Sequence, residues 1–418
     1  MSLKKENEDN NVDDVSSDES YDEMDTELQL SLNTLPVEIF LHICSFLDSS
    51  TLVHRLGLVC KQFYNILRDD SLWKGRINKL WPNTRYPILP PADDDKLFWK
   101  SSCVTAERQY FLWKNLHATE NLYLKDAHEA CVDGLLLIDK GRVCISGGRD
   151  RMLVCWRLNE TEDEDKIEMH EGQGHDGWIW DITSMQNKIY SCSWDKRVHV
   201  WDYDNGQIKL LEKLPLRITG ALLCISSSPE QNLIATGSSC KLISIIDPRN
   251  HDPFVNQFRP HRGAVLNIAM NTKYIISTSE DKTVSIWDQR SQRTLKSLML
   301  SKESYPRCVS MQTDAIYIGD SEGYIHILDV NNDFEPMKSY KTQHTDGITG
   351  IHMTGGSLIT SSLDSTVIIS TPTDPLHTIS RLHCRYGKIV KMSYLNDVLA
   401  ICGGNSIEVW RPRIGDVC

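Results

Sequence analysis

Residues 175–202 read HDGWIWDITSMQNKIYSCSWDKRVHVWD, and residues 261–288 read HRGAVLNIAMNTKYIISTSEDKTVSIWD. The stretches align without a gap, pairing His175 with His261, Ser191 with Ser277, Asp195 with Asp281 and Trp201-Asp202 with Trp287-Asp288. The residue that ends the apolar run marks further copies at Trp156, Trp201, Ile246, Trp287, Leu328, Ser370 and Trp410, spaced 45, 45, 41, 41, 42 and 40 residues apart. Seven units of this length, with strand-like alternation, are the signature of a radial array of small sheets.

Six residues before each marker stands a turn residue: Asp150, Asp195, Cys240, Asp281, Glu322, Asp364 and Gly404. His128, His175, His261 and His344 open four of the units. Units one, two and four carry the complete set His, Ser, Asp and Trp. A nucleophilic triad is needed once, whereas this set recurs at a structural period, so it reads as a hydrogen-bond network that locks each unit. Units three and five lack the His and the Trp and are expected to hold by apolar packing alone. Only eight residues follow Trp410, too few for a closing outer strand. Asn121-Leu122-Tyr123-Leu124, just ahead of His128, alternates like a strand and can supply it, which removes a free sheet edge.

The N-terminal third has a different texture. Eleven acids against Lys4 and Lys5 in residues 1–32 hold nine of the twelve net negative charges, leaving −3 for the rest. That tail is too polar to order itself, and Ser16 and Ser20, each with a glutamate three residues on, suit acidophilic phosphorylation. A nearly neutral remainder offers no field for a phosphate backbone, so nucleic acid is not an expected ligand. No apolar run approaches the length of a membrane span. Thirteen scattered cysteines without a Cys-x-x-Cys imply reduced thiols, hence cytosol or nucleus, and neither metal nor cofactor is expected.

From Leu35-Pro36 onward, Ile39, Ile43, Phe46 and Leu47 recur at helical spacing. Leu52 and Leu56 follow, Gly57 interrupts, and Val59, Phe63, Ile66 and Leu67 make a third stripe. Three short helices in about forty residues rarely bury a sufficient core alone. Leu35, Pro36, Ile39, Ile43, Leu47 and Val59 are therefore candidates for burial by another protein, or by the chain's own later domain. Pro82, Pro87 and Pro90-Pro91 then break any helix. A new helix is predicted from Asp94 to about Asn115, a stiff arm roughly 30 Å long.

Leu35-Pro36, Glu38-Ile39, Ile43, Leu47, Leu52, Val59-Cys60, Phe63 and Leu72-Trp73 resemble the F-box motif at full length, and the repeats with Trp201-Asp202 and Trp287-Asp288 resemble the WD-repeat propeller. The order of modules resembles the F-box/WD-repeat proteins over residues 33–411. The runs at 147–151, 371–375 and 408–411 point to one branch of that family. The resemblance implies a small all-α F-box (33–78), a helical linker (79–117) and an all-β seven-bladed propeller (118–412), between an acidic tail (1–32) and a short C-terminal one (413–418). It also implies a non-catalytic role: the F-box would dock on the Skp-type adaptor of a cullin-RING ubiquitin ligase, and the propeller would hold a protein substrate. A scaffold acting outside a cullin ligase is the other role these modules admit.

In such blades the His loop and the turn before the Trp strand share one rim. Counting from each His places Trp178 and Trp180 there, with Tyr305 and Arg307 by register in unit five. The residues before the turns add Arg149 and Trp194. Three tryptophans on one blade form a candidate anchor site for a substrate. Arg149 and Arg307 raise the question of a phosphate clamp, although two arginines on a rim that also carries Glu280 make a poor one.

Overall fold

The computed structural model describes residues 32–413 apart from 90–96, 126–127, 159–166, 205–206, 215 and 217. The acidic tail with Ser16 and Ser20, and the predicted helix start at Asp94, lie outside the described residues.

Four helices, rather than three, form the N-terminal unit: α1 (Val37–Cys44), α2 (Ser49–His54), α3 (Lys61–Ile66) and α4 (Asp70–Leu80). Asp48 caps α2 through the Thr51 N–H, and Asp69 caps α4 through the Ser71 N–H, which explains the start of both helices. The extra helix carries Leu72-Trp73. Trp73 is fully buried and its indole N–H donates to the Leu67 carbonyl at 3.0 Å. Phe40, Cys44, Leu52, Phe63, Leu67, Trp73, Ile77 and Trp81 make the core.

That core is completed from outside the motif. Helix α5 (Phe98–Lys114) inserts Cys103 and Ala106 into it, both fully buried. Arg76 of α4 donates to the carbonyls of Cys44 and Leu47 and pairs with Glu107 of α5, whose other oxygen accepts the Ser49 N–H. One guanidinium thus satisfies the exposed carbonyls at the end of α1 while tying α4 to α5. About two turns further on, α5 sinks Leu112 and Trp113 into the last blades of the propeller. The predicted arm is therefore a packed wedge shared by two cores.

Gln109 sits at the centre of that wedge, 2 % exposed. Its amide nitrogen donates to Tyr394 Oη and Asp397 Oδ1, each at 2.9 Å, and its oxygen accepts from Thr354 Oγ1 (2.6 Å) and Ser357 Oγ (2.9 Å). All four hydrogen-bonding positions of the amide are filled. Gly356 permits the approach, since a Cβ there would stand 2.6 Å from the Thr105 carbonyl.

Seven four-stranded antiparallel sheets follow, and each sequence marker lies on the third strand of its blade. The blades span 132–173, 179–213, 222–258, 265–299, 306–341, 348–383 and 389–412. Thr119–Leu124 pairs antiparallel with Ser406–Pro412, so the first strand of the chain is the outer strand of the last blade, as the sequence predicts. The ring closes without a free terminal edge.

At the bulge of each inner strand one register position repeats round the channel: Gly134, Asp181, Cys224, Asn267, Cys308, Gly350 and Lys391. Their partners on the second strands are all small: Gly147, Cys192, Gly237, Thr278, Gly319, Ser361 and Cys402. The next blade explains why. A Cβ on Gly147 would lie 2.5 Å from Ile179, and one on Gly319 would lie 2.6 Å from Ile348.

Candidate interaction surfaces

With the helical core satisfied internally, an apolar face remains on the outside of the N-terminal unit. Pro36, Ile39 and Ile43 of the first helical segment are exposed, as is Val59 at 67 %. Phe46 (78 %) and Leu58 (76 %) extend the same set. Phe46 stood in the helically spaced series without being set among the docking candidates, and nothing in the sequence singled out Leu58. Two of the sequence candidates are less available. Leu35 is half-buried, and Leu47 packs on the internal core, because the end of α1 turns it inward. Bulky apolar side chains left in water beside a completed core make this face a candidate docking surface.

The second surface is the propeller rim. Trp178, Trp180 and Trp194 converge, with ring centroids 5.8 to 6.3 Å apart. Trp178 is 41 % exposed and Trp194 50 %, while Trp180 is half-buried beneath them. Arg149, from the preceding blade, lies over Trp178 and Trp180 at 5.0 and 5.4 Å from their centroids. Its guanidinium is also held by Asp133, Nε to Oδ2 at 2.7 Å and Nη2 to Oδ1 at 3.3 Å. A phosphate clamp needs an uncommitted guanidinium, so Arg149 is not one. Burial of Asp133 at the foot of the tryptophans was not legible, since Asp133 lies outside every repeat marker.

Tyr305 and Arg307 share with Trp180, Trp194 and Glu280 a depression of about 590 Å³ at the mouth of the central channel. They belong to blade five and Trp180 and Trp194 to blade two, so four of the six sequence candidates line one opening from different blades, while Trp178 and Arg149 adjoin it through their contacts with Trp180. Lys391, also at this mouth, is already paired with Asp181 at 2.8 Å.

An F-box-like family model matches residues 32–78, and the WD domain, G-beta repeat, model matches 167–202 and 253–288. F-box/WD repeat-containing protein 9 of Bos taurus is 31% identical over 396 residues, 91% of this chain and 82% of the bovine protein. The chain belongs to the F-box/WD-repeat family. The human F-box/WD repeat-containing protein 9 is likewise 31% identical, over 388 residues with the same coverage. F-box/WD repeat-containing protein mec-15 of Caenorhabditis elegans is 27% identical over 324 residues, 74% of this chain.

Within this F-box/WD-repeat chain the recurring His-Ser-Asp sets are interior structure. Trp156 and Trp201 donate to Ser146 and Ser191, each at 2.8 Å. Those hydroxyls meet His128 and His175 Nε2 at 2.8 and 2.7 Å, and the imidazole Nδ1 atoms meet Asp150 and Asp195 at 2.8 and 2.7 Å. Ser146 and Ser191 are fully buried, so no substrate carbonyl can reach either oxygen. Burial opposes ionisation of Asp195, but His175 and the N–H groups of Asp176 and Arg197 outweigh it and hold the carboxyl at about 2.

Two blades depart from the predicted pattern. In blade four, His261 meets Ser277 at 2.7 Å and Thr283 at 2.9 Å, but Trp287 stands apart from the network and stacks on Phe258 at 3.6 Å between centroids. Blade five is not held by apolar packing alone. Asp320, two residues ahead of the marked Glu322, accepts from Ser304 (2.5 Å) and meets His326 Nε2 at 3.2 Å, while His326 Nδ1 meets Ser339 at 2.8 Å. The donor histidine has moved from the loop to the third strand, where the repeat alignment does not look for it.

His175, Asp195 and His199 also lie within reach of one another. The two imidazoles are stacked at 3.6 Å and only 4° from parallel. Their in-plane lone pairs therefore run side by side instead of converging, and both nitrogens of His175 are engaged. This geometry suits packing, not a metal ion.

Proposed function

We propose that the chain is the substrate-recognition subunit of a Skp-cullin-F-box ubiquitin ligase and is itself non-catalytic. The observation that carries the reading is the outward apolar face of Pro36, Ile39, Ile43, Phe46, Leu58 and Val59 on a helical unit whose core needs nothing further. A Skp-type adaptor would cover that face and bring a cullin-RING assembly with it. The tryptophan-rich rim would hold a protein substrate. The wedge of α5 supports this division of labour, because it fixes the two surfaces in one frame. A receptor of this kind works by position, raising the effective concentration of a substrate lysine near a charged conjugating enzyme. Cytosolic or nuclear residence belongs to the same proposal.

Co-purification of the tagged full-length chain from cells tests it. Adaptor and cullin should both be recovered, and both should be lost with Ile39→Asp. Adaptor without cullin would assign the chain to a scaffold role, and recovery of neither would remove the ligase reading.

A further inference from the structure

The rim charges specify a class of substrate. We infer that the rim recognises an unphosphorylated peptide segment through a bulky apolar or aromatic side chain seated on Trp178 and Trp194. This rests on the reading of the rim as the substrate surface.

The aromatic cluster is already supplied with a cation. Arg149 lies over the rings of Trp178 and Trp180 and is neutralised by two contacts to the buried Asp133. A phosphate arriving there would have to strip Arg149 from Asp133 and leave that carboxylate unpaired in the interior. A lysine or arginine would find the cation position over Trp178 and Trp180 already occupied by Arg149. What the cluster still offers is outward aromatic area, on Trp178 and Trp194, held rigid by their mutual contact at 5.8 Å.

The other side of the mouth leads to the same conclusion. Lys391 is engaged by Asp181. Arg307 and Glu280 line the same depression, and neither side chain has an ion pair among the described residues. One free cation and one free carboxylate sum to zero, whereas a phosphate dianion is normally met by two or more cationic donors. A neutral segment of extended chain, with an aromatic or aliphatic anchor at one end and ordinary polar groups near Arg307 and Glu280, satisfies every group without creating an unpaired charge.

The test uses the full-length chain and an array of synthetic twelve-residue Gly/Ser peptides whose central residue is Trp, Phe, Leu, Lys or phosphoserine. Binding is quantified by fluorescence polarisation. Peptides centred on Trp, Phe or Leu should bind, those centred on Lys or phosphoserine should not, and Trp194→Ala should weaken binding about thirtyfold or more. Trp194→Phe should restore most of it, and Trp178→Ala serves as a second variant; unchanged thermal midpoints establish that the variants are folded. Preference for phosphoserine with dependence on Arg307, or preference for Lys, would overturn the substrate class while leaving the rim as the peptide surface. Equal binding by the wild type and both alanine variants would overturn the rim reading itself.

Discussion

Lys391 of blade seven and Asp181 of blade two meet at 2.8 Å across the whole width of blade one. They occupy the same register position of their inner strands, and the residue between them, in blade one, is Gly134. Without a side chain at 134 the lysine passes over the strand. Asp181 accepts in addition from the N–H of Ile225 at 3.2 Å, so one carboxylate joins blades two, three and seven. Burial works against the Lys391 ammonium, but Asp181 outweighs it and holds the pKa above the usual lysine value.

Lys391→Met should therefore destabilise the propeller by about 1–3 kcal/mol, less than the roughly 3–5 kcal/mol for breaking a fully buried pair, because the lysine keeps some solvent contact. Chemical denaturation of Lys391→Met, Asp181→Asn and the double variant reads the coupling. Fully additive effects would mean that the pair carries no stability.

Gln109→Leu removes an amide whose four partners are buried or half-buried. Tyr394, Asp397, Thr354 and Ser357 would lose a hydrogen bond together, for about 2–4 kcal/mol. The loss should be visible as a lower denaturation midpoint and as faster proteolysis between the helical unit and the propeller. An unchanged cleavage rate would show that the packed apolar surface alone holds α5 in place.

Residues of the F-box face and of its core should separate cleanly. Ile39→Asp and Val59→Asp place a charge where the free chain has only water, so each should cut adaptor affinity at least tenfold with the thermal midpoint unchanged. Leu47→Asp, packed against the core, should lower the midpoint as well. Equal melting behaviour for all three variants would contradict the inward placement of Leu47.

Stability should fall as the pH drops from 7 to 5, before carboxylates begin to titrate. Burial, and then the neighbouring His175, holds His199 at about 3; burial holds His352 at about 4; His261 and His344 are lowered as well. Each lies below the unfolded value near 6.5, so the unfolded chain takes up protons that the native state refuses. At pH 5 a fully suppressed imidazole removes about 2 kcal/mol. Asp195 adds to the loss only at lower pH: its stabilisation is present above the unfolded value near 4 and disappears as pH falls through about 2. Thermal midpoints at pH 7, 6 and 5 check this, and His199→Phe, which keeps the stack on His175, should flatten the profile. A pH-independent midpoint for the wild type would show that these imidazoles are not suppressed.

Periodic features were legible in the chain because each copy repeats the same local demand. The seven markers, the closing strand at 121–124 and the tetrads of blades one and two follow from spacing alone, since alternation and turn residues act within a few positions. Blade five shows the limit. Its acid and histidine sit at Asp320 and His326, off the repeat register, and only the folded strand brings them to Ser304 and Ser339.

By itself the sequence determined that there would be a helical module and a seven-bladed ring, because helix stripes and strand alternation are properties of neighbouring residues. It also placed three tryptophans on one rim. Only the tertiary structure decided what those groups are free to do. Arg149 becomes a partner of Asp133 sixteen residues away, Lys391 reaches Asp181 from the far end of the ring, and Gln109 finds four partners more than 240 residues later. Pairings of that length leave no local pattern, because they depend on where closure of the ring and packing of α5 bring distant backbone together.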